Sequence, residues 1–361
     1  MSLASVVADR FADWGGVPFV VRDVYPNPAP EAIAADLDAF CLRHLGCAVE
    51  RSEFFEASVG SVHGLRLVGG SRVVVKVHRR DTSRVFLTAM QTVQRTLAAG
   101  GFPAPEPVLG PTPLGNGVAV VESLLHAGGT ADAHDPSIRS LMALGLAHLI
   151  LRCKSLTGLN GLRASFLAAP RRLWPTPHDG RFDFGGTTPG AEWIDRIATQ
   201  ARRIRDATSD GRLIVGHGDW RVEHLRFDRR EISAVYDWDS VCIEREAVLV
   251  GSVAHAFTAN WAMKAWRQFP TLGESLGFIA DYEAARGVPF TAMERRVARA
   301  ALVYAMAYTA RCEHSDVMTD FGRRPPRMVE HSIPSGSARA FLAAHAEELL
   351  ETRLRGRRAR A

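Results

Sequence analysis

Two aspartates mark the densest chemistry in this chain. Asp219 ends His217-Gly218-Asp219, and His224 follows after four intervening residues. Asp237 opens Asp237-Trp238-Asp239. Each aspartate lies just past a short apolar run of strand length, Leu213-Ile214-Val215 for the first and Ile232-Ser233-Ala234-Val235 for the second. Between them Leu225-Arg226-Phe227 alternates like a further strand, and Asp228-Arg229-Arg230 supplies turn chemistry. Such a hairpin can bring its two ends together, so both carboxylates could face one small volume. Two acids held close repel each other, and a bound divalent cation relieves that repulsion. The plain alternative is an apolar hairpin with solvated acids at its ends.

A second charged group stands out upstream. From Val49 to His78 the pattern is that of strands. Ala57 to Gly64 is a small-residue turn, Leu65-Arg66-Leu67-Val68 alternates, and Gly69-Gly70-Ser71 turns again. Val73-Val74-Val75-Lys76-Val77 is the most apolar strand of the region. A lone lysine there is costly to bury unless it meets an anion. The alternative is an edge lysine reaching solvent.

Helices and loops must position these groups. Residues 1–30 form an irregular lead ending in Pro26, Pro28 and Pro30, and a helix with Ile33, Leu37 and Phe40 on one face follows, ended by Gly46. Thr82 to Ala99 reads as a helix, with Val85, Ala89, Val93 and Leu97 in register and Gly100-Gly101 after it. Pro103, Pro105 and Pro107 stiffen the next segment, and Val118 to Val121 is a buried-looking strand. Beyond it the chain reads as mostly helical: 138–153, a helix marked by Trp193, Ile197, Ala201 and Ile204, then 248–266, 278–286, 292–311 and 338–350. The Pro- and Gly-rich stretch 166–190 is too long for a tight connection and is either an Ω-like loop or a substrate lid. His148, His255 and the tryptophans read as core or boundary residues.

The spacing H-G-D, four residues, H, followed by a hairpin ending in D-W-D, resembles the catalytic and metal-binding loops of the aminoglycoside phosphotransferase and choline kinase family. These are small-molecule relatives of the protein kinases, with the pattern H-G-D, four residues, N, then a hairpin ending in I-D. The resemblance spans roughly residues 48 to 310. It implies an α+β, two-lobed protein-kinase-like fold, with a small β-rich lobe over 1–122 and a larger, mostly helical lobe over 123–361. It further implies ATP-dependent transfer of the γ-phosphoryl group to a hydroxyl of a small molecule, with magnesium as the metal and manganese as the alternative ion.

The same resemblance assigns roles. Asp219 would accept or orient the acceptor hydroxyl. Arg221 stands where protein kinases often carry a lysine that touches the transferring phosphate. Lys76 would hold ATP phosphates, and the turn Ser58-Val59-Gly60-Ser61 would lie over them, although it lacks G-x-G-x-x-G. Glu122-Ser123-Leu124 would be the hinge whose backbone meets adenine; a plain strand-to-loop exit reads as well locally. Asp237 would bind the metal, with His224 in the place of the family's Asn. An imidazole suits zinc, copper, nickel or iron better than magnesium, which prefers oxygen. Gln91 stands where the family has a Glu paired with the strand lysine; a neutral amide can hydrogen-bond Lys76 but cannot neutralise it. These two departures leave a second reading open, a catalytically impaired pseudokinase serving as a nucleotide- or metabolite-binding module.

Composition bounds the rest. The chain has 361 residues, 47% hydrophobic and 23% charged, an ordinary globular composition with room for two sub-domains. Its formal charge of +5 resides in the tail, where Arg353, Arg355, Arg357, Arg358 and Arg360 fall within the last nine residues. Without these five, 39 basic residues face 39 acidic ones, so the body is neutral and nucleic acid is not the expected partner. The five scattered cysteines read as reduced thiols of a cytoplasmic protein. No signal-peptide pattern opens the sequence. The longest apolar stretch, Leu141 to Leu151, is far short of the about 20 residues that span a membrane.

Overall fold

Alternation of side chains along the strands explains the N-terminal architecture. In a computed structural model that describes residues 1–125, 128–168, 171–207, 211–261, 263, 267–319 and 335–351, the chain forms two compact units. The first comprises Met1–Ala127 with the short segments Gly158–Arg163 and Ala234–Asp239. The second comprises Gly128–Thr157, Ala164–Ser233 and Ser240–Ala361. A single boundary after Glu122, as expected from the sequence, leaves out these two returning segments. The arginine-rich tail and Trp266 lie outside the described residues.

The first unit opens with three helices, α1 (Leu3–Asp13), α2 (Phe19–Val24) and α3 (Pro30–Leu45). The lead is therefore helical and not irregular. Leu3, Val7 and Phe11 recur at helical spacing and are buried, and the Ser2 hydroxyl caps α1 by accepting the Ser5 N–H. Proline opens α3, and Gly46 ends it at φ 73°, a left-handed position that glycine adopts without steric cost. Five strands follow: β1 (Val49–Ala57), β2 (Ser61–Leu67), β3 (Arg72–His78), then, after helix α4 (Arg84–Ala99), β4 (Pro107–Leu114) and β5 (Gly117–Ser123). They form one antiparallel sheet in the order β1-β2-β3-β5-β4. Val73, Val75 and Val77 of β3 and Ala119 and Val121 of β5 point into an apolar core with α1, α2 and α3. The intervening residues, Lys76, His78 and Glu122 among them, therefore share the opposite face.

The turn between β1 and β2 is tighter than the small residues suggested. It is confined to Ser58, Val59 and Gly60, and the strand resumes at Ser61. Gly64 belongs to β2 because the Phe54 ring covers it and leaves no room for a side chain.

The second unit is mostly helical: α5 (Pro136–Arg152), α6 (Glu192–Arg205), α7 (Glu246–Val253), α8 (Leu272–Arg286), α9 (Ala292–Met318) and α10 (Ala338–Leu350). Among the described residues none of the helices is long and apolar enough to cross a membrane. Helix α9 is the buried axis, with α6, α7 and α10 packed on it. The helix expected over 248–266 ends at Val253, and turns follow. The stretch 166–190 is fastened to α9: Trp174 stacks on Tyr304, His178 Nδ1 is 2.9 Å from the Tyr308 hydroxyl, and Arg311 donates to the Phe184 carbonyl. Four short strands complete the chain: β6 (Leu213–His217), β7 (Leu225–Asp228), β8 (Glu231–Val235) and β9 (Val241–Arg245). β7 pairs with β8 as expected, whereas β6 pairs with β9, a partner not foreseen from the sequence.

Candidate active site

The loop after β6 sets the geometry around Asp219. Strand pairing of His217 with Val241 carries on into a 2.8 Å hydrogen bond from the Gly218 N–H to the Ser240 carbonyl. Behind the loop Trp220 is fully buried and donates its indole N–H to the Met142 carbonyl of α5 at 3.0 Å. Asp219 sits past this fixed point with its side chain 33% exposed. Arg221 grips it with two contacts, Nε to Oδ1 at 2.6 Å and Nη2 to Oδ2 at 2.7 Å. The Nη2 contact is a charge-assisted hydrogen bond, and the Nε contact adds ion-pair attraction. Burial alone would raise the Asp219 pKa, but Arg221, His224 and His217 together outweigh it and hold the carboxyl well below the usual range. Asp219 is therefore an ionised acceptor of hydrogen bonds and a weak proton base.

His224 belongs to the same cluster. Its Nε2 lies 2.9 Å from Arg221 Nη2, 3.3 Å from Asp219 Oδ2 and 3.5 Å from Glu223 Oε1. A neutral Nε2 accepts from Arg221; a protonated one donates to a carboxylate instead. One nitrogen cannot do both, so the proton on His224 decides which neighbour it holds. Glu223 closes the ring: Oε1 is 2.9 Å from Arg221 Nη2, and Oε2 accepts the Trp261 N–H at 2.6 Å. Trp261 is 48% exposed and so is not a core residue; His148 is also exposed. Glu223 escaped the sequence reading, although its place between Arg221 and His224 put a third charge in the loop.

The first unit holds Lys76, Glu122 and Asp237. Lys76 is 7% exposed, and its Nζ lies 3.4 Å from Glu122 Oε1 and 4.0 Å from Asp239 Oδ1. The buried lysine thus meets anions and does not reach solvent. Burial alone would lower its pKa, but the carboxylates of Glu122, Asp239 and Asp237 outweigh that and raise it. Asp237 follows β8 with φ 61°, a left-handed conformation that aspartate tolerates better than most residues. The turn is pinned within its unit by the Val235 N–H to the Pro103 carbonyl, the Tyr236 hydroxyl to the Leu125 carbonyl, and the buried Trp238 indole to the Val235 carbonyl.

Several expected roles change. Gln91 donates to the Leu109 carbonyl at 2.8 Å, whereas the Lys76 ammonium is paired with Glu122. Gln94, one turn further along α4, instead donates to Glu122 Oε2 at 2.6 Å. Glu122 turns its side chain inward as the counter-ion of Lys76. After β5 the Ser123 N–H donates to the Glu106 carbonyl and the Leu124 N–H to the Arg72 carbonyl. Ser61 is buried with its hydroxyl 2.7 Å from His63 Nε2, so its side chain faces the core and not a phosphate. Ser58 is exposed, and Gly60 approaches so near β3 that a Cβ would lie 2.9 Å from the Val77 carbonyl oxygen.

A five-stranded antiparallel sheet unit followed by a helical one, with a lysine on the central strand and aspartates after short C-terminal strands, defines a kinase-like fold. Solved structures agree. An amicoumacin kinase bound to AMP-PNP, calcium and amicoumacin is similar at TM-score 0.57 and 11% identity, over 89% of this chain and 95% of that one. An ethanolamine kinase of Plasmodium vivax is similar at TM-score 0.54 and 12% identity, over 95% of each chain. A protein described as a putative aminoglycoside phosphotransferase from Ralstonia eutropha is similar at 0.50 and 15%, over 87% and 96%. No curated protein sequence matches the chain. The family model of the phosphotransferase enzyme family, APH, matches residues 64–288, and the chain belongs to that family.

Proposed function

We propose that the protein is an ATP-dependent phosphotransferase that moves the γ-phosphoryl group to a hydroxyl of a small molecule. The observation that carries this reading is the clamped Asp219. It is a partly exposed carboxylate, kept ionised by Arg221, on a loop inside the span matched by the family model. A carboxylate so acidic does little as a proton base but orients a hydroxyl well. Phosphoryl transfer through a loose transition state asks for positioning more than for early proton removal. Lys76 and the Gly60 turn hold phosphates. Arg221 first fixes Asp219 and then adds positive charge beside the transferring group.

The residues fit a divalent cation in charge. The carboxylates of Glu122, Asp237 and Asp239 all act on Lys76, and carboxylate oxygens are the donors that a magnesium-type cation takes. Asp237 would hold the ion, and a bound metal would neutralise phosphate charge. His224 fits less readily, because its Nε2 already faces Arg221. That observation favours a second reading, a nucleotide- or metabolite-binding module with little turnover. The acceptor is a small hydroxylated molecule. All five cysteines are free thiols, which supports a reducing, cytoplasmic setting. A mass-spectrometric screen of hydroxylated metabolites and antibiotics with ATP tests the proposal. Gain of a phosphoryl group by one compound supports the enzyme; ATP binding with no transfer to any compound supports the binding module.

A further inference from the structure

A buried ammonium needs a counter-charge, and helix α4 brings none. Its sequence from Arg84 to Ala99 contains no acid, and its two buried polar residues are Gln91 and Gln94. The charge comes from the sheet. In the antiparallel register of β3 with β5, Val74 lies opposite Glu122 and Lys76 opposite Val120. Lys76 and Glu122 are thus diagonal neighbours on one face, a separation that long side chains bridge. Nζ is 3.4 Å from Glu122 Oε1, while Oε2 accepts the 2.6 Å hydrogen bond from Gln94. Asp239 at 4.0 Å is the more distant acid. Lys76, Glu122 and Gln94 are 7%, 3% and 0% exposed. On the other face of both strands lies the valine-rich core, so neither charged side chain can turn there without losing its polar partners.

We propose that Glu122 is the positioning residue of Lys76 and that Gln94 locks its carboxylate, so the phosphate-binding lysine is held within the sheet without an acid from α4. Both charges sit on adjacent strands in fixed register. Displacement of α4 breaks the Gln94 hydrogen bond but leaves the ion pair. The lysine is then constitutively poised, not switched by helix movement. The functional half of this proposal rests on the ATP reading above; the ion pair itself does not.

The test separates the two. The chain contains only three lysines, Lys76, Lys154 and Lys264, so lysine Nζ signals in the 15N-labelled protein are readily assigned by substitution. A buried, ion-paired ammonium exchanges its protons slowly with water and gives a visible Nζ signal. The wild type should show that signal for Lys76, and Glu122→Gln should lose it. Where the wild type binds ATP, Glu122→Gln should also raise KM for ATP about tenfold, the equivalent of about 1.4 kcal/mol, with a smaller change in kcat. Glu122→Asp, which keeps the charge, should retain the Lys76 signal and recover most of the ATP affinity. A merely structural glutamate would lower Tm without moving KM for ATP. An unchanged Lys76 signal in folded Glu122→Gln overturns the ion pair. If Glu122→Gln does not fold, Glu122→Asp decides: loss of both signal and affinity there overturns the proposal, and retention supports it. Absence of ATP binding by the wild type refutes the nucleotide reading, and with it the functional half, while the Nζ signal still decides the pair.

Discussion

Asp219 and His224 show how a few tenths of an ångström divide roles within one loop. Arg221 approaches both oxygens of Asp219 and keeps the carboxyl ionised, and in the proposed reaction that carboxylate orients the acceptor hydroxyl. Replacing it by Asn keeps shape and nucleotide binding but removes that charge. We expect kcat to fall by about two to four orders of magnitude, the range spanned by a positioned acid or base, with KM for ATP little changed. Single-turnover assays check this, and wild-type turnover by Asp219→Asn would remove Asp219 from the mechanism. His224 gives the second prediction at this scale. Its Nε2 lies 2.9 Å from Arg221 Nη2, so His224→Ala removes a neighbour of the guanidinium that holds Asp219. Turnover should fall about tenfold with the ATP-induced Tm rise retained. Wild-type turnover by His224→Ala would show that the ring does not depend on it.

At the scale of elements, the sequence was most legible where one period ran unbroken. The valines of β3 placed Lys76 on a buried strand, and the apolar runs ahead of Asp219 and Asp237 became β6 and β8. Pairing was less legible, because strand partners are set by tertiary packing and not by local pattern. Hence β9 and its contact with β6 were missed. The counter-ion of Lys76 was missed for the same reason: Glu122 is 46 residues away in sequence and adjacent only through the β3–β5 register. Strand β2 carries a prediction of its own. His63 is fully buried, stacked on Phe55, with its Nε2 3.0 Å from the Tyr25 hydroxyl and 2.7 Å from that of Ser61. Burial pushes its pKa down to about 3. The folded state then keeps it neutral while the unfolded chain binds a proton below about pH 6.5. Its stabilisation is complete above that pH and is lost as pH falls toward 3, by about 1.4 kcal/mol per pH unit. Denaturant midpoints at pH 7 and 4.5 measure it. His63→Gln should reduce the difference between them, and an equal difference in both proteins would refute the assignment.

For the whole molecule, the match over residues 64–288 and the kinase-like fold agree with the reading of H-G-D and D-W-D, whereas the departures at Gln91 and His224 needed coordinates to interpret. Gln91 is satisfied elsewhere by Leu109, and His224 is part of a charged ring whose other acid, Glu223, was not anticipated. A ligand that binds only the folded state stabilises it by about 2.7 kcal/mol at a hundredfold excess over Kd. ATP with magnesium or manganese should therefore raise Tm, and Lys76→Ala should reduce that rise if the buried ammonium meets phosphate as proposed.

If Lys76 serves the nucleotide and Asp219 the acceptor, substitutions at the two positions separate ATP binding from phosphoryl transfer. Wild type, Lys76→Ala and Asp219→Asn are each scored for the ATP-induced Tm rise and for the mass gain of one phosphoryl group on an acceptor found in the metabolite screen. We expect both signals in wild type, a reduced Tm rise in Lys76→Ala, and an undiminished Tm rise without transfer in Asp219→Asn. No Tm rise in wild type at millimolar ATP with magnesium, manganese or zinc would overturn the role of Lys76, and full transfer by Asp219→Asn that of Asp219.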